Sequence, residues 1–182
     1  MADQKITALT AKTFPLSTDI VPMVEDPAGT PVTKKISVLD LAGYSALATG
    51  EGITSTSLVD VAGMTIPITA GTWVFEMMVS ASSSSTAGGR LGVQYSGTTT
   101  SVNATFFGQL ATTTLAATAR ITALNTGSTI IGTTGSAEVT GRIFGQIIVT
   151  TAGNLTCQAL KVTSGTLTIN ASSQMWARRV AA

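Results

Sequence analysis

Apolar and hydroxyl residues alternate through most of this chain from about residue 57 onward. A period of two is typical of strands that bury one face, and clusters of Gly, Ser and Thr between the runs mark turns. In Thr72–Ser80 both faces are largely apolar, which suits a central strand covered on each side. The pattern predicts eight strands, at Leu58–Met64, Thr72–Ala81, Arg90–Ser96, Val102–Leu110, Ala119–Leu124, Glu138–Thr150, Leu155–Val162 and Leu167–Val180, the last with a break around Ala171–Ser173.

The composition supports the same fold class. Thr occurs 33 times and Ser 17 times while aromatic residues are few, a balance that favours β-strands over a helical bundle. About eight antiparallel strands joined by loops of variable length predict a mainly β protein with an eight-stranded jelly-roll sandwich. The Cys and Trp pattern of an immunoglobulin-like sandwich is absent, so we prefer the jelly roll.

Charge divides the chain into two parts. The first 51 residues hold ten of the nineteen charged side chains, and residues 57–182 hold the other nine. The change near Gly50–Gly52 predicts an N-terminal arm, 1–52, and a body, 53–182. A weakly charged body rich in strands is expected to lie against other protein, which makes a structural subunit the working hypothesis.

The arm has signals for a hairpin and a helix. Asp19–Glu25 is typical of an edge strand because it contains Pro22, and Asp26–Thr30 supplies turn residues before a return strand at Val32–Ser37. Ser37 and Asp40 then have the spacing of a capping box, which predicts a short helix over about 38–47. A hairpin and helix this small need something to dock on.

Several partner classes are disfavoured by composition. Ten basic and nine acidic residues leave a net charge of +1, without the basic footprint of a nucleic-acid-binding protein. No stretch has the length of a membrane span, and no apolar segment of a signal peptide follows Met1, so we expect no membrane partner. Cys157 has no second cysteine to pair with, which fits folding in a reducing cytoplasm.

The candidate chemistry is sparse, and we expect no enzyme, no cofactor and no metal. The absence of histidine excludes Ser-His-Asp, Cys-His and histidine-metal sites. The carboxylates of the body, Asp60, Glu76 and Glu138, are widely spaced in the sequence, although folding or oligomerisation can bring such groups together. Acidic residues of the arm do not have the spacing of a known cation loop.

Three features have a functional and a structural interpretation. Glu76 is either a cleft carboxyl with a raised pKa or, as we prefer, the partner of an arginine, since an unpaired charge in that apolar strand is costly. Gly88–Gly92 lacks the lysine and helix of a phosphate loop, so a turn is the better interpretation. Trp73 and Trp176 can stack on sugars, but such residues more often fill a core or an interface. The candidate partners of Glu76 are Arg90, Arg120 and Arg142.

Two sets of segments carry a resemblance to known proteins. In the arm the segments are Ile6–Thr10, Asp19–Val24, Asp26–Thr30, Thr33–Ile36 and Asp40–Leu41, and in the body they are Ala70–Glu76, Gly141–Ile143 and Ser173–Val180. The arm segments resemble a leader module of tailed-phage virion proteins that recurs in tail-fibre and head-decoration proteins. The body segments resemble the tumour-necrosis-factor-like jelly roll of phage structural proteins.

The resemblance implies a homotrimer whose leaders grip a virion surface. Since no long shaft separates arm from body, we expect a capsid decoration or cement protein, made in the bacterial host cytoplasm, that binds the major capsid protein on the head exterior. The alternative is a tail fibre, spike or knob that contacts a host glycan or protein receptor. The candidate capsid-anchoring residues are Ile20, Val21, Pro22, Met23, Lys34, Lys35 and Ile36. The candidate trimer-interface residues are Trp73, Phe75, Glu76, Arg142 and Trp176.

Overall fold

The structure, a computed structural model, describes residues 20–25, 32–37, 42–84, 88–111, 114–115, 118–127, 130–132 and 138–181. Regular structure in these ranges consists of strands, and no helix occurs among them. The chain divides into two compact units, Met1–Leu41 and Ala42–Ala182. The prediction of a mainly β protein is confirmed.

The first unit contains one described element pair, a two-stranded antiparallel sheet. Strand β1 (Ile20–Glu25) pairs with β2 (Val32–Ser37), with Pro22 opposite Lys35. The hairpin predicted from Pro22 and the turn residues is therefore confirmed in its two strands. All seven anchoring candidates lie in these two strands, whereas the turn at 26–30 and the capping box lie wholly or partly outside the described residues.

The strands of the second unit follow the alternation of the sequence closely. All eight predicted strand segments contain strand, and the predicted break at 171–173 is a turn between the last two strands. The described strands of this unit are β3 (Ala42–Ala46), β4 (Glu51–Ile53), β5 (Val59–Ile68), β6 (Gly71–Ser83), β7 (Gly89–Tyr95), β8 (Thr99–Ala111), β9 (Thr114–Leu115), β10 (Ala119–Ile121), β11 (Ile130–Ile131), β12 (Val139–Val149), β13 (Gly153–Lys161), β14 (Leu167–Ile169) and β15 (Gln174–Ala181).

These strands form two antiparallel sheets. The larger sheet has the order β10-β8-β12-β6. On the side of β6 away from β12, β15 pairs with the first part of β6 and β14 with its last part. Strand β3 then pairs with β15, and β4 pairs with β14. The smaller sheet has the order β11-β7-β13-β5. From β5 to β8 and again from β11 to β13, consecutive strands alternate between the two sheets. Both sheets contribute to one hydrophobic core, in which Phe75, Phe106 and Leu155 are among the fully buried side chains.

The helix predicted over 38–47 is wrong in its second half, where Ala42–Ala46 is strand β3. Its five residues pair with β15, from Ala46 opposite Gln174 to Ala42 opposite Arg178. Gly43 packs so closely on Ile66 that an added Cβ would lie 2.0 Å from the Ile66 side chain. Tertiary pairing therefore overrides a local pattern that glycine, tyrosine and serine already weaken. As a result, the unit boundary at Leu41/Ala42 precedes the one that charge predicts at 52.

Candidate functional site

The side chains of strand β6 alternate between the core and the outer face of the larger sheet. Trp73 and Phe75 are 2% and 1% exposed and point into the core, whereas Glu76 and Met78 lie on the opposite face. The placement of Trp73 and Phe75 at a trimer interface is therefore corrected, because their side chains are enclosed within their own protomer. Trp73 also donates from its indole nitrogen to the Thr69 carbonyl at 2.8 Å, which satisfies its polar atom inside the fold.

Strand register places apolar side chains in two adjacent rows on the outer face. The first row takes one residue from each of β3, β15, β6, β12 and β8, and each residue is opposite the next in the register. In that order the row is Tyr44, Trp176, Glu76, Phe144 and Thr105. In the second row Met78 is opposite Arg142, which is opposite Phe107. We call Tyr44, Met78, Phe107, Phe144 and Trp176 the apolar patch.

Four of the five side chains of the apolar patch are exposed. Tyr44 is 61% exposed, Phe107 41%, Met78 40% and Trp176 38%. The other exposed large apolar side chains of the described residues are Val59 and Val180. With roughly 200 Å² for a fully open aromatic side chain, the patch presents on the order of 400 Å², a size at which patches on monomers are often functional.

An ion pair lies within the patch. Arg142 Nε contacts Glu76 Oε1, and the Glu76 side chain is only 12% exposed. The Arg142 guanidinium also lies 4.9 Å from the centre of the Phe144 ring, which stacks on Phe107 at 5.7 Å with 4° between the ring planes. The predicted pairing of Glu76 with an arginine is confirmed, and it neutralises the charge at the centre of the patch.

A cleft of about 430 Å³ runs beside the ion pair. Phe144 and Trp176 supply apolar walls, and Asn103 and Gln146 supply amide groups. Arg120 Nε donates to Asn103 Oδ1 at 3.1 Å, which holds that amide in place. The cleft therefore combines aromatic surface with two amide groups, of which that of Asn103 is held by Arg120.

The other two carboxylates of the predicted set have separate polar partners. Gln158 Nε2 donates to Asp60 Oδ1 at 2.9 Å on the smaller sheet, and Ser80 Oγ donates to Glu138 beside the larger sheet. Within the described ranges, no three His, Cys, Asp or Glu side chains are grouped as a metal site would require. In the same ranges no helix has the length and apolar character needed to cross a membrane.

The glycines at the start of β7 are explained by packing. A Cβ on Gly89 would lie 2.4 Å from Leu167 Cδ2 and 2.8 Å from the Leu160 carbonyl oxygen. Gly88 has a φ of +66°, and a Cβ there would lie 2.0 Å from the Ile131 carbonyl oxygen. Close approach of strands therefore accounts for the Gly-Gly pair. The interpretation of Gly88–Gly92 as a turn is wrong for 89–92, which lie in strand β7 and pair with β13.

Cys157 is fully buried in β13. Burial raises the pKa of its thiol from 9.0 to about 12, with smaller contributions from the charges of Asp60 and Glu51. A thiol in this environment stays protonated and is a poor nucleophile.

We expect the folded protein to resist thiol-specific labelling near neutral pH and to become labelled on unfolding. Because the folded thiol ionises at a higher pH than the unfolded one, stability should fall as the pH rises from 9.0 toward about 12. Denaturant titrations at pH about 8 and about 11 measure this fall, with Cys157→Ala as the reference. Equal falls in both proteins would contradict the assignment.

Four residues of the apolar patch were not among the sequence candidates. The sequence predicts a helix around Tyr44, and it assigns Met78, Phe107 and Phe144 to strands without indicating a shared surface. Their alternation with core residues along β6, β8 and β12 was the available signal. It indicates a face for each strand but does not indicate which strands are neighbours.

Comparison with known proteins adds little to this picture. No family model and no curated protein matches the chain. Among solved structures, the crystal structure of the infectious bursal disease virus VP2 subviral particle aligns over 90% of this chain and 47% of that chain, with 11% identity and a TM-score of 0.19. The chain thus spans about half of that chain's length, and a likeness this low defines neither fold nor function. The strand pairing itself defines a mainly β protein of antiparallel sheets.

Proposed function

We propose that this protein is a virion structural subunit of a tailed phage. In this proposal it is a decoration or cement protein that binds the head exterior as a homotrimer and holds neighbouring capsid subunits through its arm. The observation that carries the proposal is the apolar patch with its internal ion pair. Such a surface suits permanent contact with protein.

The chemistry of the patch supports association with a second copy of the chain. Aromatic residues, Met and Arg are enriched where protein interfaces are most buried, and three aromatic rings surround the Arg142–Glu76 pair here. Because that pair is already formed within the protomer, an uncharged partner can cover it without leaving a lone charge. Residues 57–182, with nine charges in 126 residues, offer such a partner surface.

We also propose that the body is a jelly roll. The orders β3-β15-β6-β12 and β5-β13-β7-β11 give two sets of four antiparallel strands. Successive strands of these sets alternate between the two sheets except at β7 and β11, which are neighbours in the smaller sheet. Eight strands in two facing sheets with this alternation fit a jelly roll. In this interpretation β8, β9 and β10 are an insertion that widens the larger sheet beyond β12.

The proposal that the arm binds the capsid rests on the marginal stability of a lone hairpin and on the resemblance of the arm to phage leaders. An isolated two-stranded hairpin is marginally stable in water, so β1 and β2 gain most from a further surface to pack on. Three arms on one trimer act together, which strengthens attachment without requiring any arm to bind tightly alone. Each bound arm then stabilises the shell by mass action.

The cleft favours one alternative, a receptor-binding knob. An exposed tryptophan beside the amide groups of Asn103 and Gln146 is a suitable surface for stacking and hydrogen bonding to a saccharide. In that case the isolated protein binds a surface glycan of the host, and Trp176→Ala removes the binding. Absence of saccharide binding by a trimeric protein would favour the decoration role.

Two measurements test the main proposal. Sedimentation of the full chain is expected to give three copies, and a stable monomer would contradict the trimer. Imaging of intact particles is expected to place its density on the head at threefold or quasi-threefold positions. Density confined to the tail would select the knob instead.

A further inference from the structure

The two edges of the arm hairpin differ in hydrogen-bonding capacity. Pro22 has no amide hydrogen, yet it lies within a continuous antiparallel register with both of its neighbours paired. A proline in a paired strand takes a position whose nitrogen faces away from the partner strand. Pro22 therefore fixes which amides of the hairpin face inward and which face outward.

Alternation along each strand then assigns the remaining groups. On β1 the outward positions are Ile20, Pro22 and Val24, so this edge lacks its central donor. On β2 the outward positions are Thr33, Lys35 and Ser37, and each retains both an amide hydrogen and a carbonyl. Among the described residues β1 and β2 pair only with each other, so the edge of β2 offers a complete series of groups for another strand.

We propose that the outer edge of β2 receives an extended segment of the capsid subunit as a third strand. This inference rests on the proposed function and specifies how the arm attaches. Addition of a strand satisfies the outward groups of β2 and supplies the third strand that a hairpin needs for stability. Since β2 contains Lys34 and Lys35 and no acidic residue, the segment best suited to it carries carboxylates.

A second copy of the arm is a poorer occupant of this edge. Pairing of β2 with β2 from another copy brings two Lys-Lys sequences together, and like charges on opposed strands are destabilising. The edge of β1 is also a poorer site, because Pro22 interrupts its donors. The capsid segment therefore belongs on β2.

The cross-strand pair Val24 and Thr33 provides a matched test. Proline at either position removes one outward amide hydrogen, and the amides between β1 and β2 remain intact. In the full chain, Thr33→Pro should weaken binding to particles assembled without this protein by about tenfold or more, since several arms each lose a hydrogen bond and a close strand contact. Val24→Pro should change binding by less than about twofold, because that edge is unused.

Charge reversal gives a second readout that does not depend on proline. Lys34→Glu with Lys35→Glu should weaken particle binding, and Lys161→Glu, in strand β13 of the second unit, serves as the control. Equal binding by Thr33→Pro and Val24→Pro, or undiminished binding by the charge-reversed chain, would overturn the edge assignment. Arm-dependent self-association that Thr33→Pro abolishes would also overturn it, since the occupant would then be another copy. Particle binding by a chain without residues 1–41 would instead refute the anchoring function itself.

Discussion

Removal of residues 1–41 is expected to leave a folded body that no longer binds capsids, whereas removal of residues 1–50 is expected to destabilise that body strongly. The longer deletion removes β3, which pairs along five residues with β15. It also removes Leu47, which is 7% exposed and belongs to the core. Loss of a buried leucine side chain alone costs about 2–5 kcal/mol, a large part of the stability of an ordinary domain.

Denaturant unfolding of the two truncated chains measures this difference, and particle binding by the shorter deletion tests the anchor. Leu47→Ala in the full chain is the matched point variant, expected to lose about 2–5 kcal/mol while keeping its arm. Equal stability of the two truncated chains would show that β3 is dispensable. Retained capsid binding after removal of 1–41 would show that the arm is not the anchor.

The body strands were predictable because their alternation is local. The run from Thr72 gave the central strand correctly, and the Ser-rich interruption near residue 172 gave the break between β14 and β15. The misassigned β3 shows where such reasoning stops. Tyr44 of β3 pairs with Trp176, which lies 132 residues later in the chain. No local pattern around residue 44 contains that information.

The candidate site shows the same division. Hydrophobic context alone indicated that Glu76 needs an arginine, because a lone charge in that strand is costly. The choice of Arg142 over Arg90 and Arg120 depends on β12 being the neighbour of β6, which is a matter of topology. Trp73 and Phe75 are interface candidates by sequence, but their side chains share the core face of β6.

If the apolar patch forms the proposed trimer interface, Phe107→Asp is expected to give monomers without unfolding the protomer. The side chain is 41% exposed in the protomer, so an aspartate there remains solvated, and the main loss is the stacking on Phe144. That loss is worth about 0.5–1.5 kcal/mol. In the proposed trimer the same aspartate would place a second carboxylate next to Arg142, which is opposite position 107 and already paired with Glu76, so one buried negative charge would lack a partner. Truncation of a central aromatic contact alone costs about 2 kcal/mol or more, roughly thirtyfold in affinity.

Val59→Asp is the matched control, because Val59 is an exposed apolar residue of similar openness, 36%, on the smaller sheet. Sedimentation over a range of concentrations should show monomers for Phe107→Asp and trimers for Val59→Asp, with similar unfolding midpoints for the two protomers. The reverse pattern would move the interface to the smaller sheet. Trimers in both variants would show that the apolar patch faces something other than a second copy, and the saccharide-binding alternative for the cleft beside Trp176 would then gain weight.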